Sequence, residues 1–186
     1  MPRKADERLE GRIVDAAYQL WSKGGEHALT MRAVAKAAKT TTPTLYERFK
    51  DKRDLLAFLR ERARQRLYQT LKDARSAKEA CELGLEFMLA NGNEFRLLVS
   101  DWATRRGRNE HLPSFDFLKK KLAEDLGGGP EEHEHVALAL VALINGAAFM
   151  VGTEGVSGEL LSDLETACRE GIRSLIGAER NGATKK

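Results

Sequence analysis

Apolar residues recur every three or four positions along this chain, as they do on the buried face of an α-helix. No stretch alternates apolar and polar residues with the period of two that a half-buried strand requires. The pattern therefore predicts an all-α protein of about nine helices. The first apolar stripe consists of Leu9, Ile13, Ala16, Ala17, Leu20 and Trp21.

Helix-ending and helix-starting residues divide the N-terminal region into short helices. Gly24-Gly25 ends the first helix, because glycine readily takes the left-handed conformation that stops one. Thr30 is suited to cap a short second helix. Pro43 opens a third, since proline is tolerated in the first turn. Asp51 then caps a long fourth helix.

The second half of the chain continues the helical pattern. Its clearest break is at residues 127–130, where three glycines and a proline interrupt the apolar spacing. The middle of the next helix is apolar on every side, so we expect it to be buried. The predicted helices cover 77–91, 94–104, Pro113 to about Leu126, 131–153 and 158–177.

These elements predict two domains joined by a long helix. The N-terminal domain, residues 1–53, contains the first three helices, and a connecting helix follows at 54–72. A larger helical domain spans 73–180. The polar residues 181–186 are expected to form a disordered tail.

Composition narrows the class of protein. Hydrophobic residues make up 42% and charged residues 32%, which is typical of a soluble globular chain. The longest apolar run, Val136–Val151, contains Asn145 and is shorter than the roughly 20 residues of a membrane span, so no membrane partner is expected. The charged N-terminus lacks the apolar stretch of a secretory signal. A cytoplasmic location is therefore expected.

The net charge of +3 conceals an asymmetry along the chain. Residues 1–75 contain 18 Lys and Arg against 10 Asp and Glu, whereas residues 76–186 contain 13 against 18. A basic N-terminal part beside an acidic remainder favours a polyanion as its partner. On charge alone, nucleic acid is only slightly ahead of chance clustering on solvated helices.

Residues 30–49 predict a short helix, a tight corner and a second short helix, which is the size of a helix-turn-helix. In such a unit the second helix lies in the DNA major groove, with its N-terminal residues at the base edges. Threonine hydroxyls there can donate to phosphates or bases, and their methyl groups can contact thymine. That end of the helix consists of Thr41, Thr42, Pro43 and Thr44.

A more specific pattern surrounds this unit. It consists of Ile13, Ala16, Ala17, Leu20, Trp21, Gly25, Ala28, Thr30, Arg32, Val34, Ala35, Ala38, Pro43, Thr44, Leu45, Tyr46, Phe49, Lys52, Leu55 and Leu56. As a set, these residues resemble the DNA-binding domain of TetR-family (TetR/AcrR-like) transcriptional regulators. They cover about a quarter of the chain. An all-helical second part fits the same family.

The resemblance implies contacts to the DNA backbone. Thr44 and Tyr46 would contact phosphates near the recognition helix, and Lys52 would contact another at the start of the fourth helix. Tyr46 has an alternative place in the hydrophobic core, which the motif context makes the less favoured one. Further backbone contacts would come from an N-terminal arm with Arg3, Lys4, Arg8 and Arg12.

The resemblance also implies contacts to bases. Arg32 would read a guanine, for which a bidentate guanidinium is physically apt. Thr42 and Pro43 match base-contacting positions. Arg48 is open between a base and a phosphate, and Glu47 is suited to accept from cytosine.

Three positions depart from the family pattern. The corner residue is usually glycine, and here it is Lys39. A left-handed turn at another residue costs about 1–2 kcal/mol, which leaves a different corner geometry as an alternative. Glu26 stands where an aromatic usually helps to pack the three helices. Thr40 stands where the residue after the corner is usually apolar.

For the second domain, the resemblance implies a homodimer formed through helices 131–153 and 158–177. Two recognition helices would then read a palindromic operator in double-stranded DNA. A small-molecule effector bound between helices would tilt the fourth helix and release the operator. The expected function is a ligand-responsive repressor. The alternative is a DNA-binding protein of the same fold without a small-molecule effector, architectural or protein-controlled.

Few residues suggest where an effector would bind. Asn145 stands alone in an apolar helix, so its amide needs a partner on a neighbouring helix, a dimer mate or a ligand. Large apolar side chains are candidates to line a pocket, although each also suits a plain core. The candidate effector residues are Phe87, Trp102, Asn145 and Phe149.

No residue pattern supports an enzyme, a metal site or a cofactor. His133 and His135 face different ways on a helix, so they do not easily share one ion. Cys81 and Cys168 lie far apart in sequence and suit a buried apolar role. Nucleophile–base pairs and phosphate loops with supporting motifs are not found. We therefore expect a non-enzymatic protein with no cofactor.

Overall fold

The computed structural model describes residues 3–107, 110–152 and 157–183. Within these residues the chain forms nine α-helices, one 3-10 helix and no strand, which confirms the all-α prediction. The helices are α1 (Arg3–Ala28), α2 (Met31–Ala37), α3 (Thr42–Tyr46), α4 (Lys52–Leu71), α5 (Ala77–Ala90), α6 (Gly92–Gly107), α7 (Pro113–Leu126), the 3-10 helix (Pro130–His133), α8 (Glu134–Val151) and α9 (Gly158–Ala183).

The chain divides into two compact units, residues 1–62 and 63–186. The division falls inside α4, the helix that the sequence assigns as a connector. In the first unit, apolar side chains of α1 to α4 bury one another in a small core. The core residues with the least exposure are Ile13, Ala17, Leu29, Val34, Leu45, Leu55 and Leu59.

The caps of the first unit follow the sequence. Thr30 Oγ1 accepts a hydrogen bond from the Ala33 amide at 3.1 Å, as an N-cap does. Asp51 Oδ1 accepts from the Asp54 amide at 2.9 Å, and Asp54 Oδ2 accepts in return from the Lys50 amide at 3.0 Å. The hydrogen bond from the Asp54 amide lowers the pKa of Asp51. These side chains define where α2 and α4 begin.

Helix α1 is interrupted at the predicted glycine pair. Gly24 has a φ of −157° and leaves the helical conformation, and Gly25 has a φ of 58° with a ψ of −147°. That second combination is essentially reserved for glycine, because a Cβ atom would clash there. One further turn, up to Ala28, follows the interruption.

The second unit is a helical bundle built around α8. Gly171 of α9 lets this helix approach α8 closely, since a Cβ at this position would lie 2.8 Å from Leu143 Cδ2. The predicted break after α7 contains Gly127 and Gly128 with positive φ, followed by the 3-10 helix. The core residues come from α5, α7, α8 and α9 and include Cys81, Leu85, Leu118, Leu122, Leu140, Ile144, Cys168 and Ile172.

Helix α8 is buried on one side, whereas the sequence predicted burial on every side. Ala142 and Gly146 are exposed, and Phe149 is 70% exposed. The helical stretch Pro130–Val151 has a mean hydropathy of 1.8 and is long enough to cross a membrane, but core helices of soluble proteins share these properties. The apolar surface of α8 is therefore larger than the area that its neighbours cover in the described part of one chain.

Helix α9 is longer than the helix that the sequence predicts at 158–177. It continues through residues 181–183, three residues into the predicted tail, and residues 184–186 lie outside the described part of the chain. Arg180 in its last turn suits the negative end of the helix dipole and favours this extension.

Candidate nucleic-acid interface and ligand cavity

The corner between α2 and α3 has the left-handed geometry in spite of its lysine. Lys39 has a φ of 52°. The Thr40 amide donates to the Ala35 carbonyl at 2.9 Å, and the Lys39 amide donates to the Lys36 carbonyl at 3.3 Å. These two bonds form the Schellman motif that usually ends on glycine. The alternative of a different corner geometry is therefore wrong, and these backbone bonds offset the strain.

Thr40 stands where the family usually has an apolar residue, and its backbone amide explains part of why threonine is tolerated there. Its backbone completes the corner, and its side chain is half-buried rather than fully buried as an apolar residue would be. Arg12 of α1 also holds the corner, because its Nε donates to the Ala38 carbonyl at 3.1 Å. The sequence assigned Arg12 to the DNA backbone and gave no sign of this internal contact. The side chains of Arg3 and Lys4, which belong to the same predicted arm, lie outside what the structure describes.

The recognition helix α3 begins with a threonine cap. Thr41 Oγ1 accepts from the Thr44 amide at 3.2 Å and shares a hydrogen bond with Thr44 Oγ1 at 2.8 Å. Pro43 occupies the first turn, where no amide donor is required. Leu45 is fully buried and anchors the inner side of the helix.

The predicted DNA-contacting residues are all exposed or half-buried. Arg32, Thr41 and Pro43 are exposed, and Tyr46 is 51% exposed. Tyr46 is therefore not a core residue, and its alternative place in the core is wrong. The half-buried members of the set are Thr42, Thr44, Arg48 and Lys52.

Lys52 lies against the position where the family usually has an aromatic. Its Nζ donates to the Glu26 carbonyl at 2.5 Å and lies 3.6 Å from Glu26 Oε1. The lysine side chain is 34% exposed. Glu26 thus pairs with the cation that the sequence assigned to a phosphate, and the two anions would compete for it.

The second unit contains an apolar cavity of about 120 Å³. Its walls come from α4, α5, α6, α7 and α8. The apolar lining is Leu67, Leu71, Ala80, Cys81, Gly84, Met88, Leu98, Val99, Trp102, Leu112, Pro113, Phe115, Leu118, Val141 and Ile144, and the polar lining is Arg64, Arg105, Ser114 and Asn145.

Two of the four predicted effector residues line this cavity and two do not. Trp102 and Asn145 are part of the lining. Phe87 is buried in a separate cluster with Leu67 and Leu71, beneath the Arg66 guanidinium. Phe149 is exposed on the outside of the bundle. A sequence pattern of large apolar residues cannot separate these locations, because it reports apolarity and not position.

Cys81 is a cavity residue that the sequence assigned to the core. Burial raises the pKa of its thiol to about 12, and the neighbouring Cys168 adds to the shift. The thiol therefore stays protonated at neutral pH and acts as a small apolar wall.

Two buried charged or titratable side chains of the second unit, Lys119 and His133, are paired with carboxylates. Lys119 is buried, with its Nζ 2.8 Å from Glu131 Oε1 and 3.6 Å from Glu134 Oε2. His133 is also buried, and its ring contacts the Glu179 carboxylate and the Gly127 carbonyl. No group of three His, Cys, Asp or Glu side chains that could hold a metal occurs among the described residues.

The N-terminal unit matches a known family. Residues 13–58 match the family model described as "Bacterial regulatory proteins, tetR family". No curated protein matches the chain in sequence. The family match covers the helix-turn-helix and the start of α4.

Solved structures share the whole fold. A transcriptional regulator from Aquifex aeolicus superposes with a TM-score of 0.68 at 17% identity, over 90% of this chain and 99% of that chain. A TetR-family regulator from Streptomyces coelicolor gives 0.62 at 24%, over 92% and 98%. A single-residue variant of TetR from Acinetobacter baumannii, solved in complex with minocycline, gives 0.63 at 21%, over 93% and 97%. Residues 13–58 thus match the tetR family of bacterial regulatory proteins, and the chain as a whole shares the fold of these solved transcriptional regulators.

Proposed function

We propose that this regulator is a homodimeric repressor that binds a palindromic operator and is released from it by a small molecule. The observation that carries the proposal is the apolar cavity whose wall includes α4, the helix that begins at Lys52. One helix thus belongs both to the proposed effector site and to the proposed DNA-binding surface.

The DNA contacts follow from the exposed side of the helix-turn-helix. Arg32 is exposed and suited to a bidentate contact with guanine. Thr42 and Pro43 lie in the first turn of α3, which is the part that meets base edges in this motif. The proposed phosphate contacts are the hydroxyl groups of Thr44 and Tyr46 and the cation of Lys52. Thr41 and Arg48 complete the proposed surface.

The proposed dimer forms through α8 and α9. Phe149 and Met150 on α8 and Leu160 on α9 are large apolar side chains that solvent reaches in the single chain. An apolar face of this kind is stabilised when a second copy covers it. Two copies related by a twofold axis would present two recognition helices to a palindrome.

The proposed release mechanism is a shift in the population of two conformers. A ligand that contacts Leu67 and Leu71 favours one position of α4 over another. DNA binding and ligand binding then oppose each other, because each stabilises a different position. Repression is typical of the family, and a repressor of this kind acts in the cytoplasm, where its operator is.

The alternative function is DNA binding without a small-molecule effector. It would be favoured by a second unit with a solid interior. The cavity argues against it, because about 120 Å³ of apolar space lowers stability unless a ligand fills it.

Selection of bound duplexes from a random pool, at about 150 mM salt, tests the DNA-binding part. The proposal predicts enrichment of one palindromic site. Enrichment of a single asymmetric site contradicts the dimer, and binding that merely fades with salt contradicts sequence reading. Small molecules are then screened for loss of binding to the enriched duplex, and a screen without any hit favours the alternative function.

A further inference from the structure

The charged side chains that line the cavity have one sign. Among the described residues that line it, Arg64 and Arg105 are cations and none is a carboxylate. Every other lining side chain is apolar apart from Ser114 and Asn145. These two guanidinium groups favour an anionic ligand over a cationic one, and the Glu110 carboxylate outside the lining offsets part of the Arg105 charge.

Arg105 is held in place from outside the cavity. Its Nε lies 3.2 Å from Glu110 Oε2, and its Nη2 donates to the His111 carbonyl at 3.2 Å. Its side chain is 22% exposed. Two contacts with the segment before α7 thus orient the guanidinium while it forms part of the cavity lining. A guanidinium that is already oriented loses little entropy when it binds a carboxylate.

The volume sets the size of the ligand. An apolar cavity of about 150 Å³ holds one benzene molecule, so the volume here suits a single ring. Trp102 and Phe115 form an edge-to-face pair in the lining, with centroids 6.2 Å apart and planes at 83°. Aromatic walls of this type favour an aromatic guest.

We infer that the effector is a small aromatic acid, whose ring fills the apolar cavity and whose carboxylate pairs with Arg105 and Arg64. The inference rests on the proposed function, since it names the chemistry of the proposed effector. An unpaired carboxylate would be costly to bury in this cavity, and the two guanidinium groups remove that cost. Asn145 also lines the cavity and offers an amide to a polar ligand group.

Three probes with the same ring and different charges test this chemistry. Benzoate, benzamide and benzylamine are titrated into the full chain by isothermal calorimetry. We expect benzoate to bind about tenfold or more tightly than benzamide, because a hydrogen bond to a charged group is the stronger kind. Benzylamine should bind most weakly of the three.

Variants locate the binding and its charge preference. Arg105→Gln and Arg64→Gln should each weaken benzoate binding more than benzamide binding, and circular dichroism shows that each variant is folded. Arg75→Gln is the matched control, since Arg75 is an exposed arginine outside the lining.

Gly84→Val should block all three probes. A Cβ at Gly84 would lie 3.8 Å from Leu71 Cδ2, an ordinary van der Waals distance, so the first added carbon fits without a clash.

Three results would overturn the inference. One is equal affinity for benzoate and benzamide, the second is no binding of any probe, and the third is benzoate binding that survives Gly84→Val. None of these results affects the selection of DNA duplexes, which judges the DNA-binding function separately. Conversely, benzoate that binds the cavity without weakening operator binding would support the ligand class and contradict the proposed release mechanism.

Discussion

Arg66 of α4 and Glu94 of α6 form an ion pair whose two members differ sharply in exposure. The Glu94 side chain is 8% exposed and that of Arg66 is 49% exposed. The guanidinium also donates to Asn91 Oδ1 at 3.2 Å and lies over the Phe87 ring at 5.8 Å. This cluster fastens the C-terminal half of α4 to α5 and α6, next to the cavity.

Because the two side chains differ in exposure, Arg66→Met and Glu94→Gln should lower the free energy of unfolding by unequal amounts. Arg66→Met leaves a buried carboxylate without its cation and should lower the free energy of unfolding by about 3 kcal/mol. Glu94→Gln leaves a cation that water can reach, and should cost about 1 kcal/mol. Denaturant unfolding of both variants and of the double variant measures these values. Equal costs for the two single variants would contradict the asymmetry.

Local signals make most of the first unit predictable. Thr30 and Asp51 are identifiable as caps because a cap needs a side-chain acceptor within three residues of its donor. The break at Gly25 is visible because its backbone conformation is essentially restricted to glycine. Lys39 shows the limit of such signals, since its left-handed conformation is imposed by the bonds of the corner and not by its own preference.

In the second unit, apolarity alone cannot position the side chains. Phe149 and Trp102 are both large and apolar, yet the first faces solvent and the second lines the cavity. The difference depends on how helices pack, which no local pattern contains. For the same reason no local pattern identifies Arg64 and Arg105 as residues that line the cavity.

Lys39→Gly should stabilise the first unit. Removing the Cβ relieves a left-handed strain of about 1–2 kcal/mol, and the greater freedom of glycine in the unfolded chain returns about half of that gain. We expect a higher melting temperature, measured by circular dichroism. Lys36→Gly, inside α2, is the control and should destabilise by about 1 kcal/mol. A Lys39→Gly protein that melts lower than the wild type would show that the lysine side chain itself supports the corner.

Glu26→Gln should strengthen DNA binding through Lys52. The change removes the carboxylate 3.6 Å from Lys52 Nζ, which would otherwise compete with a phosphate for this cation, and keeps the hydrogen bond to the Glu26 carbonyl. Exposed pairs of this kind contribute at most about 1 kcal/mol, so we expect up to about a fivefold gain in affinity. Fluorescence anisotropy on the selected duplex measures it.

Two further variants distinguish the Glu26–Lys52 contact from the general effect of removing a negative charge. Asp15→Asn removes the same charge at an exposed position of α1, and should give a smaller gain. In a Lys52→Ala background, the gain from Glu26→Gln should disappear. A gain that persists in this background would show that Glu26 acts through the overall field and not through Lys52.

His133 should make the stability of the second unit depend on pH. Burial lowers the pKa of His133, but hydrogen bonds to the Gly127 carbonyl and the Glu179 carboxylate, with Glu132 nearby, raise it overall above 6.5. A raised pKa means that the protonated ring stabilises the fold fully below pH 6.5, and that this stability is lost as the pH rises through the higher folded value. Denaturant unfolding across this range should show a decline that His133→Gln flattens. His135→Gln, at an exposed position, should leave the decline in place.

The stoichiometry of the protein on its operator tests whether a dimer reads DNA sequence through the helix-turn-helix. Sedimentation velocity is run with the palindromic duplex obtained by selection and with a duplex that carries one half-site. We expect two chains on the palindrome. Arg32→Ala should weaken this complex more than it weakens binding to duplexes of unrelated sequence. One chain per palindrome, or an equal loss from Arg32→Ala on every duplex, would contradict a dimer that reads sequence through this helix-turn-helix.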